Sequence, residues 1–100
     1  MTIEKIMAND LPVVAVFSAN WCGPCKMFMP VYDEVRKDIS DRYDFFKIDV
    51  DECEQLCNQL DISTVPAVIV FKRGTEVQRR VGAFPNADVF RRWIIGDSGE

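Results

Sequence analysis

A small α/β sandwich around a mixed β-sheet is the fold this sequence predicts, and three observations lead to it. Val13-Val14-Ala15-Val16-Phe17 and Ala67-Val68-Ile69-Val70-Phe71 are continuously apolar and rich in branched side chains, as strands covered on both faces are. Met27 to Ile39 and Val89 to Ile94 instead repeat apolar residues at helical spacing. Directly behind the second apolar run, Lys72-Arg73-Gly74-Thr75 reads as a tight turn, so a strand hairpin closes the sheet. The resulting order is helix, strand, helix, strand, helix, hairpin, helix, which layers helices on both faces of the sheet. With 100 residues, 48% of them hydrophobic, one domain spanning 1–100 is expected.

Each element has a local reason. Thr2 can cap a short helix whose apolar residues are Ile3, Ile6 and Met7, and Asn9-Asp10-Leu11-Pro12 ends it. After the strand Val13–Phe17, a long helix carries Phe28, Val31, Tyr32, Val35 and Ile39 inward, with Pro30 expected to bend it. Phe45 to Val50 alternates like a half-covered strand, with Phe46, Ile48 and Val50 on one face. Asp51 with Glu54 three residues on has the form of a helix start, and Cys53 to Leu60 is a short amphipathic helix. Glu76 to Val81 pairs back on Ala67–Phe71. Asn86 caps a last helix that packs Val89, Phe90, Trp93 and Ile94; Gly96 ends it, and Asp97 to Glu100 are expected to fray.

Composition narrows the function. A net charge of −4 argues against nucleic acid or an anionic membrane as a partner, and Arg79-Arg80 and Arg91-Arg92 read as solvated faces rather than a binding stripe. No apolar run approaches a membrane span, and Met1-Thr2-Ile3-Glu4-Lys5 has the features of neither an export leader nor an organelle presequence. Without histidine, a Cys–His hydrolase and histidine metal ligands are excluded. Four cysteines behind such a start point to a reducing compartment, the cytoplasm. Cys22/Cys25 and Cys53/Cys57 could together supply four zinc thiolates, but the second pair is gapped by three residues within a helical pattern and no glycine-rich knuckle surrounds either pair. No metal is expected.

Trp21-Cys22-Gly23-Pro24-Cys25-Lys26 carries the chemistry. Two thiols three residues apart allow one to attack an outside disulfide and the other to resolve the mixed disulfide. Cys22 stands where a helix begins, and unpaired N–H groups and the helix dipole there favour a thiolate. Lys26 adds a second positive influence.

These residues resemble the thioredoxin family over nearly the whole chain. The likeness rests on the Trp21 to Lys26 motif, Pro30, the Lys47 to Asp51 strand end, Thr64-Val65-Pro66 before a buried strand, the Phe71 to Gly74 turn, and Val81-Gly82-Ala83. The resemblance implies a three-layer α/β/α sandwich and a protein thiol–disulfide oxidoreductase. Cys22 would be the exposed attacking thiolate and Cys25 the buried resolving thiol, with Trp21, Gly23, Pro24 and Lys26 supporting them. Pro66 would be the family's cis-proline, freeing the Val65 backbone to pair with an extended substrate. Gly82 and Ala83 would offer small, close-approach surface beside the dithiol. Disulfide-containing proteins would be the substrates and an NADPH-dependent thioredoxin reductase the recycling partner, with no bound cofactor.

Two departures qualify the likeness. Members usually carry a buried aspartate six residues before the attacking cysteine, where this chain has Val16. Its loss eases thiolate formation at Cys22 but removes a local base for Cys25, so turnover is expected to be kinetically altered and steeper in pH. Lys47, which partners that aspartate in some members, must then find Asp49 or Asp51 or turn to solvent. Secondly, the dozen residues before Val13 have room for a short helix but not for the family's usual first strand as well. The mixed sheet is therefore expected to have four strands, with Phe45–Val50 as an exposed edge suited to self-association or a partner. Cys53 and Cys57, one turn apart, read as two small hydrophobes packed inward, or else Cys53 as a regulatory thiol that could link two otherwise monomeric chains. Against a disulfide reductant stand two other readings: an oxidant or isomerase, supported only by Val16, and a thioredoxin-like binding module with incidental redox activity.

Overall fold

A computed structural model describes residues 1–96. Helix α1 (Ile3–Met7) is capped by Thr2, whose hydroxyl accepts from the Lys5 N–H, and it buries Ile6. Strand β1 (Val13–Ser18) follows with all six residues buried. Helix α2 (Gly23–Ile39) runs unbroken through Pro30, and β2 (Asp44–Asp49) lies one residue earlier than the alternation placed it. Helix α3 (Glu54–Gln59), the hairpin β3 (Ala67–Lys72) and β4 (Thr75–Val81), and α4 (Ala87–Gly96) complete the described chain.

The sheet is mixed and four-stranded among the described residues, in the order β2-β1-β3-β4, with β1 parallel to β2 and antiparallel to β3. β2 is an edge, as expected. Because successive strand residues point to opposite faces, β1 and β3 feed two cores at once. Val14, Val16, Val68 and Val70 pack under α2 and α4 with Phe28, Tyr32, Val35, Phe90 and Ile94. Val13, Ala15, Phe17, Ala67, Ile69 and Phe71 pack on the opposite face with Ile6, Ile48, Leu56 and Cys57 from α1, β2 and α3. Phe28 meets Phe90 edge-on at 5.1 Å, and Phe84 stacks on Phe90 at 4.8 Å, which fixes α2 against α4.

Two sequence expectations need correction at helix ends. Cys53 is the N-cap of α3 rather than its first turn, and Asp51 does not cap; its carboxylate is engaged elsewhere. Gly96 is the last residue of α4 rather than its stop, while the fraying expected of Asp97 to Glu100 lies outside the described residues. Asn86 does cap α4, accepting from the Val89 N–H at 2.9 Å.

The arginine pairs are not bare solvated faces. Arg79 grips both carboxylate oxygens of Glu76, at 2.7 and 2.8 Å, and donates to the Leu60 carbonyl. That hydrogen-bonded guanidinium holds the Glu76 carboxyl below the usual carboxylate range. Arg80 lies over the Phe84 ring at 4.2 Å, Arg91 pairs with Asp38, and Arg92 pairs with Asp88. No helix of the described residues is long and apolar enough to cross a membrane.

Candidate active site

The dithiol sits where β1 hands over to α2. β1 ends at Ser18, the chain turns through Ala19 and Asn20, and the Cys22 N–H donates to the Ala19 carbonyl at 3.2 Å. Cys22 takes the extended N-cap conformation, with φ −95° and ψ 113°, and its Sγ accepts from the Cys25 N–H at 3.2 Å. Pro24 occupies the first turn, where its missing N–H forfeits no helical bond. No acidic residue stands in that turn to oppose a thiolate. The pair is joined as a disulfide, with the two Cα atoms 5.3 Å apart.

Cys22 is less open than its assigned role suggests: it is 5% exposed, against 2% for Cys25. Ala19, Val50 and Val65 pack around both sulfurs, and Cys22 Sγ lies 3.7 Å from the Val65 carbonyl oxygen. Approach is left to the side of exposed Trp21, Gly23 and Pro24. Trp21 is 69% exposed, and its indole N–H donates to Asp51 Oδ2 at 3.0 Å, which explains why Asp51 caps nothing.

The structure brings the remaining sequence candidates to the same place. The Val65–Pro66 peptide is cis, as expected, and the Gly82 N–H donates to the Pro66 carbonyl at 2.8 Å. Gly82 adopts φ +108°, a backbone setting that only glycine takes without strain. Ala83 lines a 250 Å³ groove with Pro24, Met27, Phe28, Phe84 and Pro85. Met27, Phe84 and Pro85 escaped the sequence reading. Met27, 79% exposed, carried a signal all the same: it is an apolar residue on α2 outside the inward stripe.

Behind Cys25 a second, smaller cleft of 70 Å³ opens between β1, α2 and β2, lined by Ser18, Asn20, Lys26, Met29 and Lys47. Val16 on β1 is fully buried among apolar side chains. Lys47 finds neither Asp49 nor Asp51. It turns to solvent, while Asp49 Oδ1 accepts from the Asp51 N–H. A cavity of 620 Å³ lies at the opposite end of β1 beside Pro12, Arg42 and Arg73, with no cysteine in its lining.

Cys53 is half-buried and Cys57 buried, both against the α3-side core, so the inward packing holds for Cys57 more than for Cys53. Burial pushes the Cys57 thiol up, with the neighbouring Cys53 and Glu54 adding to it. With the Cys22–Cys25 disulfide intact, iodoacetamide is therefore expected to label Cys53 about tenfold faster than Cys57, as peptide mass spectrometry would read. Among the described residues no three cysteine, aspartate or glutamate side chains converge as metal ligands would.

Known proteins are similar to this chain. The thioredoxin family model matches residues 2–95. A chloroplastic thioredoxin M4 of Arabidopsis thaliana is 41% identical over 81% of this chain, and the match spans 42% of that longer protein. The thioredoxin of Mycoplasmoides gallisepticum is 34% identical over 87% of this chain and 86% of its own length. Among solved structures, a chain from a study of the thiol-resolving mechanism in yeast mitochondrial 1-Cys peroxiredoxin superposes with a TM-score of 0.81. It is 29% identical and covers 94% of this chain and 85% of its own.

Proposed function

The chain belongs to the thioredoxin family and is a thiol–disulfide oxidoreductase, a redox carrier that reduces protein disulfides, and on that premise we propose how its residues divide the work. Cys22 attacks a substrate disulfide, one substrate sulfur leaves as a thiol, and Cys25 then displaces the other while closing the Cys22–Cys25 bond. Two electrons pass to the substrate in each cycle. Val65, beside the cis Pro66, offers its backbone to an extended substrate segment, and Gly82 and Ala83 let that segment approach. Trp21, held by Asp51, flanks the entry, and the Met27 groove accepts an apolar side chain near the substrate cysteine. Gly23 keeps the rim low and Pro24 stiffens it, while Lys26 contributes positive charge.

The observation that carries this reading is the Cys25 N–H aimed at Cys22 Sγ from the first turn of α2. A hydrogen bond and dipole that favour the Cys22 thiolate stabilise the reduced state's reactive form. Recycling by an NADPH-dependent thioredoxin reductase is the proposed route, supported by family membership, and the cytoplasm is the proposed compartment, supported by a dithiol that must be kept reduced to work. A single copy suffices, since one dithiol completes the exchange.

Equilibration of the Cys22–Cys25 pair against a glutathione buffer tests the direction of transfer. We expect a potential well below that of the glutathione couple. A value at or above it would turn the assignment to an oxidant or isomerase. The binding-module reading has its own check, because a pure binding role would survive Cys22→Ser/Cys25→Ser.

A further inference from the structure

We propose that Lys47, together with Lys26, activates the resolving thiol: their ammonium charges in the small cleft behind Cys25 stabilise its thiolate, and water in that cleft accepts the proton. The proposal rests on the division of roles above, with Cys25 as the resolving thiol. Its starting point is what the cleft contains. Cys25 forms part of its wall, and the ionisable side chains lining it besides Cys25 itself are Lys26 from α2 and Lys47 from β2. No carboxylate lines it.

The surroundings of the cleft and of Cys25 are otherwise apolar or neutral. From β1 come Val16, which is apolar and fully buried, and the neutral Ser18. The side chains that cluster with Cys25 besides Cys22 are Ala19, Val50 and Val65, all apolar. On β2, Asp49 shares the face of Lys47 but accepts from the Asp51 N–H, and Asp51 in turn holds the Trp21 indole. On α2 itself the facing groups are Cys22 and Lys26. Lys47 is the register partner of Val16 and has no ion pair among the described residues, and Asp49, the anion on its own strand face, does not line the cleft. A cation lining the same cleft as a thiol lowers the cost of its anion without taking its proton.

The step then balances as follows. In the mixed disulfide, the Cys25 thiol gives its proton to a water of the cleft. The thiolate attacks Cys22 Sγ, the Cys22–Cys25 bond forms, and the bond from Cys22 to the substrate sulfur breaks. That sulfur leaves as a thiolate and takes a proton from solvent. Lys47 changes the fraction of Cys25 that is thiolate, on which the rate depends. Cys22 does not line this cleft, so its own attack should respond less than resolution does.

Rapid mixing of the reduced protein with dithiobis(nitrobenzoate), in a Cys53→Ser background, resolves the two steps. The first release of nitrothiobenzoate reports attack by Cys22 and the second reports resolution by Cys25. We expect Lys47→Gln to raise the pH midpoint of the second phase by about one unit, slowing it about tenfold below that midpoint. The first phase should shift less than the second, and Lys47→Arg should restore the second. In the unsubstituted protein, raising ionic strength should move the second midpoint upward, because the lysines are exposed to screening salt. A normal first phase with an unmoved second midpoint in Lys47→Gln, or no salt effect, would overturn this inference alone. Absence of any first phase would remove the functional assignment itself.

Discussion

Cys25→Ser is expected to convert the protein from a carrier into a trap. Cys22 still attacks, but the mixed disulfide then waits for an external thiol. Intramolecular attack by a thiol held one turn away is worth an effective concentration far above any millimolar reductant, so turnover should fall by at least about a thousandfold. The geometry is in place for that advantage, with Cys22 and Cys25 Cα atoms 5.3 Å apart and the first turn of α2 fixing them. Substrate proteins should accumulate as adducts that survive denaturation and dissolve with dithiothreitol, visible on a non-reducing gel. Cys22→Ser should give no adduct, because Cys25 is almost wholly covered and faces the lysine cleft rather than the Trp21 rim. Adducts from Cys22→Ser and none from Cys25→Ser would exchange the two roles. The slight exposure of Cys22 adds a corollary: attack requires a substrate segment that reaches past Gly23 and Pro24 to a recessed sulfur, so extended segments should react faster than disulfides held flat on a folded surface.

How far the sequence discloses this protein depends on whether a feature is local. Val13–Phe17 and Ala67–Phe71 are buried on both faces, so every residue in them is apolar and the runs declare themselves. The dithiol turn is equally legible, because cysteine spacing, Pro24 and the onset of a helical pattern lie within a few residues. Asp51 shows where such reading stops. Its distance from Glu54 is that of a helix cap, yet the Trp21 indole, 30 residues away in sequence, claims the carboxylate, and no local pattern encodes that competition. The apolar groove fails for the same reason. Pro24 and Met27 come from α2 while Ala83, Phe84 and Pro85 come from the loop before α4, and only the Phe28–Phe84–Phe90 packing brings them together. The absence of an acid at Val16 could be read from the chain. That Lys47 would line a cleft behind Cys25, with no ion pair among the described residues, could not.

Val16→Asp should cost more stability than its small change in shape suggests, and the cost should grow with pH. Val16 has no exposed surface and sits among Val14, Phe28, Val35 and Val68, none of which offers a hydrogen bond from its side chain. Even protonated, an unpartnered buried carboxyl costs about 1–3 kcal/mol. Desolvation disfavours the anion further, so the folded-state pKa of the new aspartate should lie above its unfolded value of about 3.9. The sign follows from proton counts. Between the two pKa values the folded state binds more protons than the unfolded state, so stability falls as pH rises, by up to about 1.4 kcal/mol per unit, and levels off above the folded pKa. Urea unfolding should therefore show a gap between the two proteins that is smallest near pH 4 and widens toward neutrality. Lys47 supplies the alternative outcome, since it is paired in register with position 16 and is unengaged among the described residues. If its ammonium reached the buried carboxylate, the gap would stay flat or narrow with pH. The second phase of nitrothiobenzoate release would then gain a base while losing a cation, and its pH profile would broaden instead of shifting.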